Sequence, residues 1–344
     1  MNFPRNDFEK YARDEGKSQQ FIDATLSYVD KLNSMQLPVI FSIKHLALTL
    51  DYPYNKILDI ANHSEKYYKS FKIRKKRNPQ QFRGILAPNP DLKVIQRWIY
   101  NNILKNIEPD ESSVGFSQGC SIQKAAAMHT NQEVVLRVDL SNFFENITQK
   151  QVYYVFRNLG YHKNLAVDLA KLTTIYTKEG SYLPQGAPTS PALSNLVVRK
   201  MDKRLRCLSE KLGVNYTRYA DDLIISGNKK DIPRLGLIKQ IIKEEGFKLN
   251  SEKTAIQRAG NKQLVLGLTV TNGVHVPKDF KKEIWTHLRY CKKYGPIDHL
   301  RYINKSDKGA FKDWLFGKIS FVKSVEPAVG EKMMNLFNEI NWPL

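Results

Sequence analysis

Cysteine is nearly absent: Cys120, Cys207 and Cys291 are the only three in 344 residues, far apart and in no metal-ligand spacing. That excludes a disulfide framework or a thiolate zinc site and suits idle thiols of a reducing compartment. No apolar run approaches the roughly 20 residues that a membrane span needs, and the opening MNFPRNDFEKYARDEGK lacks the apolar core of a signal peptide. These absences predict a soluble, cytoplasmic chain with no membrane partner. Negative charge is scarce too, with 34 Asp and Glu against 54 Lys and Arg, a formal net charge of +20. Such an excess calls for a polyanionic partner, nucleic acid by default. There is no internal repeat and no low-complexity tract. The hydrophobic share, 42%, is enough for a large core and two or three subdomains.

Residues 1–70 read as mostly helical. Leu46, Leu50, Ile57, Leu58 and Ala61 fall at near-helical spacing, broken by a turn at Asp51-Tyr52-Pro53. A small helical module packed on the body is expected, with a helix-turn-helix reader as the alternative. The run KIRKKRNPQQFR at 72–83 carries six positive charges and no negative one, and Ile85, Leu86 and Pro88 follow it. It predicts a basic hairpin or loop leading into a strand. PDLKVIQRWIYNNILKNI reads as an amphipathic helix with Leu92, Ile95, Ile99, Ile103 and Ile107 inward. EVVLRVD at 133–139 is a strand that ends on a carboxylate. Helical segments are expected around 148–173, then a Gly/Pro-rich loop at 180–191 and a helix from Ala192 to about Leu212. A strand–turn–strand at 214–226, a helix at 233–245 and strands at 264–270 and 274–276 follow. Residues 278–344 read as helical, with Trp285, Trp314, Phe316, Ile319 and Val322 as core. Strands and helices without regular alternation predict the α+β class.

The sharpest local signal is Tyr219-Ala220-Asp221-Asp222 between the β-prone runs Val214–Thr217 and Leu223–Ile225. Adjacent carboxylates there fit the tip of a hairpin, although Asp is common in turns anyway. Asp139 changes the weight of that pair. It ends a separate apolar strand (Val134, Val135, Leu136, Val138), where a charge is costly unless paired or metal-bound. Two strands delivering carboxylates to one place make an oxygen-only site suited to Mg²⁺. Nucleotidyl transfer uses two such ions, one activating the attacking hydroxyl and one steadying the leaving pyrophosphate.

VDLSNFFENI, LPQGAPTSP, RYADDLIIS, GFKLNSEKT and LVLGLTV occur in the order of the palm motifs of reverse transcriptases. FRGILAPNPDLKVIQRWI and VGFSQGCSI upstream look like that family's fingers motifs. The resemblance covers about residues 70–270. The short chain, and LPQGAPTSPALSNLV together with TRYADDLIIS, resemble the bacterial retron branch best. It implies an α+β right-hand polymerase: an N-terminal helical module at 1–70, fingers at 71–132, a palm of antiparallel sheet plus helices at 133–276, and a helical thumb or RNA-binding region at 277–344.

Carried over motif by motif, the resemblance makes Asp139 and Asp221 the holders of two Mg²⁺ ions, with Asp222 a weaker ligand beside them. Phe144, five residues after Asp139, takes the steric-gate place that leaves no room for a ribose 2′-hydroxyl. Gln185 and Gly186 resemble the loop lining nucleotide and template. Arg83, in R-x-I-x-x-P, matches a triphosphate-gripping fingers residue, and Lys75 or Lys76 could share that role. Lys253 resembles a lysine that protonates departing pyrophosphate. In the thumb, Lys281, Lys282, Arg289, Tyr290, Lys292, Lys293 and Tyr294 mix charge with stacking surface, as structured RNA requires; the bland reading is a solvated basic helix face. Two departures from the retron pattern stand out: Ala125-Ala126-Ala127-Met128-His129 lacks the usual Asn, and Val265-Leu266-Gly267 replaces Val-Thr-Gly.

The implied function is an RNA-directed DNA polymerase that copies part of its own structured noncoding RNA from deoxynucleotide triphosphates. An RNA 2′-hydroxyl would prime it and leave a branched RNA–DNA hybrid. Such enzymes serve bacterial antiphage defence with a separate effector protein. The alternatives are another reverse transcriptase branch (group II intron-like or diversity-generating) or a non-catalytic RNA-binding scaffold.

Overall fold

The computed structural model describes residues 3–74, 80, 82–116, 119–303 and 310–342. Four helices open the chain: α1 (Arg5–Asp14), α2 (Gln19–Ser34), α3 (Ile43–Thr49) and α4 (Tyr54–Asn62). Ser18 and Ser42 cap α2 and α3, each hydroxyl accepting an otherwise orphaned N–H in the first turn. Asp51 (φ 48°) makes the expected turn between α3 and α4.

Strands β1 (Tyr68–Arg74) and β2 (Phe82–Pro88) form the antiparallel hairpin that the basic run predicts, with Ile73 opposite Arg83. Lys75 and Lys76 lie outside the described residues. Asn89 caps α5 (Pro90–Ile99), which runs on into a π-helical turn at Tyr100–Leu104. Leu92, Ile95, Ile99 and Ile103 are buried as the periodicity requires, and Ile107 is half-buried.

After α6 (Ile122–Ala127) comes β3 (Val134–Leu140), then α7 (Gln149–Asn158), entered through a Thr148–Gln151 capping box, and α8 (Lys163–Thr173). The loop expected at 180–191 begins instead as a small hairpin of β4 (Ile175–Thr177) and β5 (Gly180–Tyr182). The single helix expected from Ala192 is two, α9 (Ser190–Val197) and α10 (Arg199–Leu212), meeting at Val198. Strands β6 (Asn215–Tyr219) and β7 (Asp222–Gly227) make the anticipated hairpin, and α11 (Leu235–Glu244) follows.

The next strand, β8 (Leu249–Arg258), was not anticipated: its residues are mostly exposed, so it lacks the alternation that betrays a strand. The strand expected at 264–270 is two short ones, β9 (Leu264–Val265) and β10 (Leu268–Thr269), folded back on each other at Leu266-Gly267, both with positive φ. At 274–276 only an isolated bridge from His275 to Thr269 forms. Helices α12 (Lys278–Tyr294), α13 (Pro296–Tyr302), α14 (Phe311–Val325) and α15 (Pro327–Asn338) complete the chain. Ile319 and Val322 are buried, and Trp285 and Trp314 are half-buried. Phe316 is 48% exposed, because the core side of α14 is taken by Phe311, Leu315, Ile319 and Val322.

The four-stranded sheet, ordered β6-β7-β3-β8, positions everything else. Its side chains alternate between two apolar layers. Leu136, Val138, Leu223 and Ile225 join the cluster of α2–α5, α7, α8, α10 and α11, whereas Val135 and Ile224 join that of α12, α14 and α15. The first cluster runs from Tyr28 to Phe247 and so spans the N-terminal helices and the sheet alike. No described helix is long and apolar enough to cross a membrane.

Candidate active site

The register of β3 with β7 sets Asp139 opposite Asp222, so both carboxylates leave the same face at the same end of the sheet. Asp221 sits beside them in the β6–β7 turn, after Ala220 in the left-handed region (φ 53°). Its carbonyl accepts the Leu140 N–H at 2.9 Å, tying the turn to the end of β3. Asp139 is buried; Asp221 and Asp222 are half-buried. Burial pushes the Asp221 carboxyl above the usual carboxylate range, and the charges of Asp222 and Asp139 push it further. Three acids thus concentrate negative charge where solvent cannot fully screen it, an arrangement that demands cations.

Two side chains answer that demand. Lys253, on β8, places Nζ 2.9 and 3.0 Å from the two Asp139 oxygens. Arg137, two residues before Asp139 on β3, donates from Nε to Asp222 Oδ1 at 2.9 Å and from Nη2 to Oδ2 at 2.8 Å. The sequence reading assigned Lys253 to pyrophosphate; here it lies on a carboxylate. It missed Arg137 altogether, although a charge inside EVVLRVD, on the face that carries Asp139, was the available signal. The donor set is oxygen only, which suits a hard cation such as Mg²⁺. Among the described residues no three His, Cys, Asp or Glu side chains form a ready ion cage. The Lys253 ammonium occupies the Asp139 oxygens that such a cation would need.

Farther along that same face of the sheet, His129 staples β6 to β7. Its ring nitrogens bond the Thr217 hydroxyl on β6 at 2.8 Å and the Ser226 hydroxyl on β7 at 2.7 Å. Burial lowers its pKa to about 4, so the ring is neutral. This is the histidine of the alanine-rich departure noted above.

Phe144 is half-buried, with its ring 5.4 Å from that of the buried Phe143 in an edge-on contact. The Gln185-Gly186 loop is bonded to the β1–β2 hairpin: the Leu86 N–H donates to the Gln185 carbonyl at 2.9 Å. Gly186 has φ 132°, and a Cβ there would stand 2.8 Å from the Leu86 carbonyl oxygen, so only glycine allows this approach. Arg83 is exposed on the same strand as Leu86. Loop and hairpin are thereby one unit.

The residues of α12 expected to contact RNA divide. Ile284, His287, Leu288 and Cys291 bury one side of α12, leaving Lys282, Arg289, Tyr290, Lys292, Lys293 and Tyr294 exposed. Tyr290 and Tyr294 stack with ring centres 6.0 Å apart, and Lys293 Nζ lies 4.9 Å from the Tyr294 ring. Lys281 instead turns inward, to an ion pair with Glu326 at 2.8 and 2.9 Å. Lys292 pairs with Glu339 on the surface.

Residues 73–270 match the family described as reverse transcriptase (RNA-dependent DNA polymerase). The retron Ec86 reverse transcriptase of Escherichia coli is 29% identical, over 90% of this chain and 92% of its own length. The retron Ec73 reverse transcriptase of Escherichia coli is 31% identical, over 80% and 88%. The retron Mx162 reverse transcriptase of Myxococcus xanthus is 30% identical over 84% of this chain, and the match spans 63% of that relative's length.

Proposed function

The chain belongs to the reverse transcriptase family, as an RNA-directed DNA polymerase of the retron type, and we propose that Asp139, Asp221 and Asp222 are its catalytic carboxylates. The observation that carries this reading is the pairing of Asp139 with Asp222 across β3 and β7, with Asp221 at the tip between them. Two bound Mg²⁺ ions would supply the activated 3′-hydroxyl and the neutralised pyrophosphate. Asp139 and Asp221 would hold them. Asp222, engaged by Arg137, lends charge more than coordination. With a cation on Asp139, Lys253 would be free to donate a proton to departing pyrophosphate.

Around that centre Phe144 closes the space a ribose 2′-hydroxyl would need, which selects deoxynucleotides. Gln185 and Gly186 line nucleotide and template, and Arg83 grips triphosphate from the attached hairpin, where a planar guanidinium matches two phosphate oxygens. The exposed face of α12 binds the partner RNA, with Lys282, Arg289, Lys292 and Lys293 on phosphates and Tyr290 and Tyr294 on unpaired bases. The template is the enzyme's own structured noncoding RNA. Priming is from an RNA 2′-hydroxyl, and the branched product serves antiphage defence in a bacterial cytoplasm alongside a separate effector protein.

The test is to express the chain with the noncoding RNA encoded beside it and sequence the RNA–DNA junction. A DNA joined through a 2′,5′ linkage, and lost in Asp221→Asn, is expected. DNA that begins from a free 3′ end would overturn the priming scheme. Unimpaired synthesis by Asp221→Asn would overturn the site.

A further inference from the structure

Arg218 has no exposed surface, stands three residues before Asp221, and takes no part in the chemistry above. Its guanidinium meets the equally buried Asp202 of α10, from Nε at 2.8 and 3.0 Å and from Nη2 at 2.7 Å. Nη2 also reaches the Ser113 hydroxyl at 2.9 Å and Asn195 Oδ1 of α9 at 3.0 Å. Nη1 donates to the Ala220 carbonyl at 3.0 Å. One side chain therefore ties α9, α10, the 113 segment and the turn that carries Asp221.

Stability alone does not account for such a group. Well-packed apolar residues often replace a buried ion pair without loss, because two charges must be stripped of water to form it. A planar fork of five donors can, however, hold acceptors from several segments at fixed angles, which apolar atoms cannot do. The acceptor that matters is the Ala220 carbonyl. Ala220 occupies the left-handed region (φ 53°), which is unfavourable for alanine, and its peptide plane sets the direction in which Asp221 leaves the backbone.

The backbone around it is locked to match. Val114 N–H donates to the Arg218 carbonyl at 2.9 Å, and Arg218 N–H donates to the Ser112 carbonyl at 2.8 Å. A Cβ on Gly115 would stand 2.9 Å from Ala220 N, so this segment lies directly against the turn. Asn195 closes the ring by donating to the Gly115 carbonyl at 2.8 Å.

We propose that Arg218, held by Asp202, is the positioning residue of this active site: it fixes the Ala220–Asp221 peptide, aims Asp221 toward Asp139, and makes that aim depend on the Ser113–Gly115 segment. The proposal rests on Asp221 being a catalytic carboxylate.

The test separates positioning from stability. In Arg218→Met/Asp202→Leu/Tyr216→Phe the charges go together with the Tyr216 hydroxyl that donates to Asp202 at 2.9 Å. Thermal melting of the full chain, Mn²⁺ binding followed by electron paramagnetic resonance, and single-nucleotide incorporation are measured on the same preparation. The melting temperature is expected to fall by a few degrees only, as Asn195 Oδ1 and the Ala220 carbonyl lose their donor, while Mn²⁺ affinity and kcat per folded molecule each fall about 10–100-fold, with the KM for deoxynucleotide little changed. A variant that melts earlier, yet binds Mn²⁺ and turns over normally per folded molecule, overturns the proposal. Should the triple variant not fold, Arg218→Lys keeps the charge beside Asp202 without the fork. The same loss of Mn²⁺ affinity is expected, and parental affinity and kcat overturn the idea. Asp221→Asn serves as the reference: if it binds Mn²⁺ and polymerises normally, the underlying assignment of Asp221 fails, whatever Arg218 does.

Discussion

Arg137 grips both carboxylate oxygens of Asp222 from the very strand that carries Asp139, two residues away on the same face. The three acids are therefore unequal, since among the described residues only Asp222 has a guanidinium of its own.

Asp221→Asn should lower single-turnover primer extension by at least about a thousandfold, and Asp222→Asn by a smaller factor, about 10–100-fold. Arg137→Met has a different signature. Asp221 already titrates above the usual carboxylate range, and a metal needs it ionised, so synthesis fails on the acid side sooner than an ordinary carboxylate dictates. Freeing Asp222 from Arg137 strengthens the repulsion and should shift that acid limb to still higher pH. An unmoved pH profile in Arg137→Met would count against this account.

Phe144→Ala should reduce discrimination against ribonucleotides by about tenfold or more, read as the ratio of kcat/KM for a ribonucleotide to that for its deoxy counterpart. Incorporation of the deoxynucleotide should change less. An unaltered ratio would return Phe144 to the role of a core ring against Phe143.

His129 gives a stability prediction. Its folded pKa is about 4, below the ordinary 6.5, so the unfolded chain takes up the proton first. The stability it contributes is complete above pH 6.5 and is lost as pH falls toward 4, by about 3 kcal/mol over the whole window. Urea denaturation at stepped pH should show this decline. His129→Gln should be less stable at pH 7.5 and show a flatter decline, and parallel curves for the two proteins would refute the assignment.

The placing of the three acids is legible in the sequence, because they end or join apolar β-prone runs, whereas the register that sets Asp139 opposite Asp222 is not. Asp139 closes EVVLRVD, and Asp221-Asp222 interrupts two β-prone stretches. β8 was not legible as a strand: charged and exposed, it carries no period-two pattern, and so the approach of Lys253 to Asp139 was invisible. Arg218 was hidden for the opposite reason. Its partners Asp202, Asn195 and Ser113 are far from it in sequence, and no local pattern reports a buried charge.

On α12, two adjacent lysines should behave differently. Lys281→Glu places a second negative charge beside Glu326 and should lower the melting temperature, because against burial it is Lys281, the Val276 N–H and His275 that hold Glu326 ionised. Lys282→Glu, on the exposed face, should leave melting intact, weaken RNA binding and reduce its salt slope by about one ion. Tyr294→Ala should cost about 1–3 kcal/mol of binding without altering that slope. Equal effects of the two lysine changes on melting and on binding would contradict the division of α12.

The central place of β3 has a consequence for synthesis on the ribosome. Arg137 and Asp222 are 85 residues apart, so at roughly 5–20 residues per second the strand waits on the order of ten seconds for its first neighbour and longer for β8. Throughout that interval Val134, Val135, Leu136 and Val138, all buried in the finished sheet, have no sheet partner. The nascent chain is open to misassociation then, and the face that carries Asp139 closes only after β7 and β8 have been made.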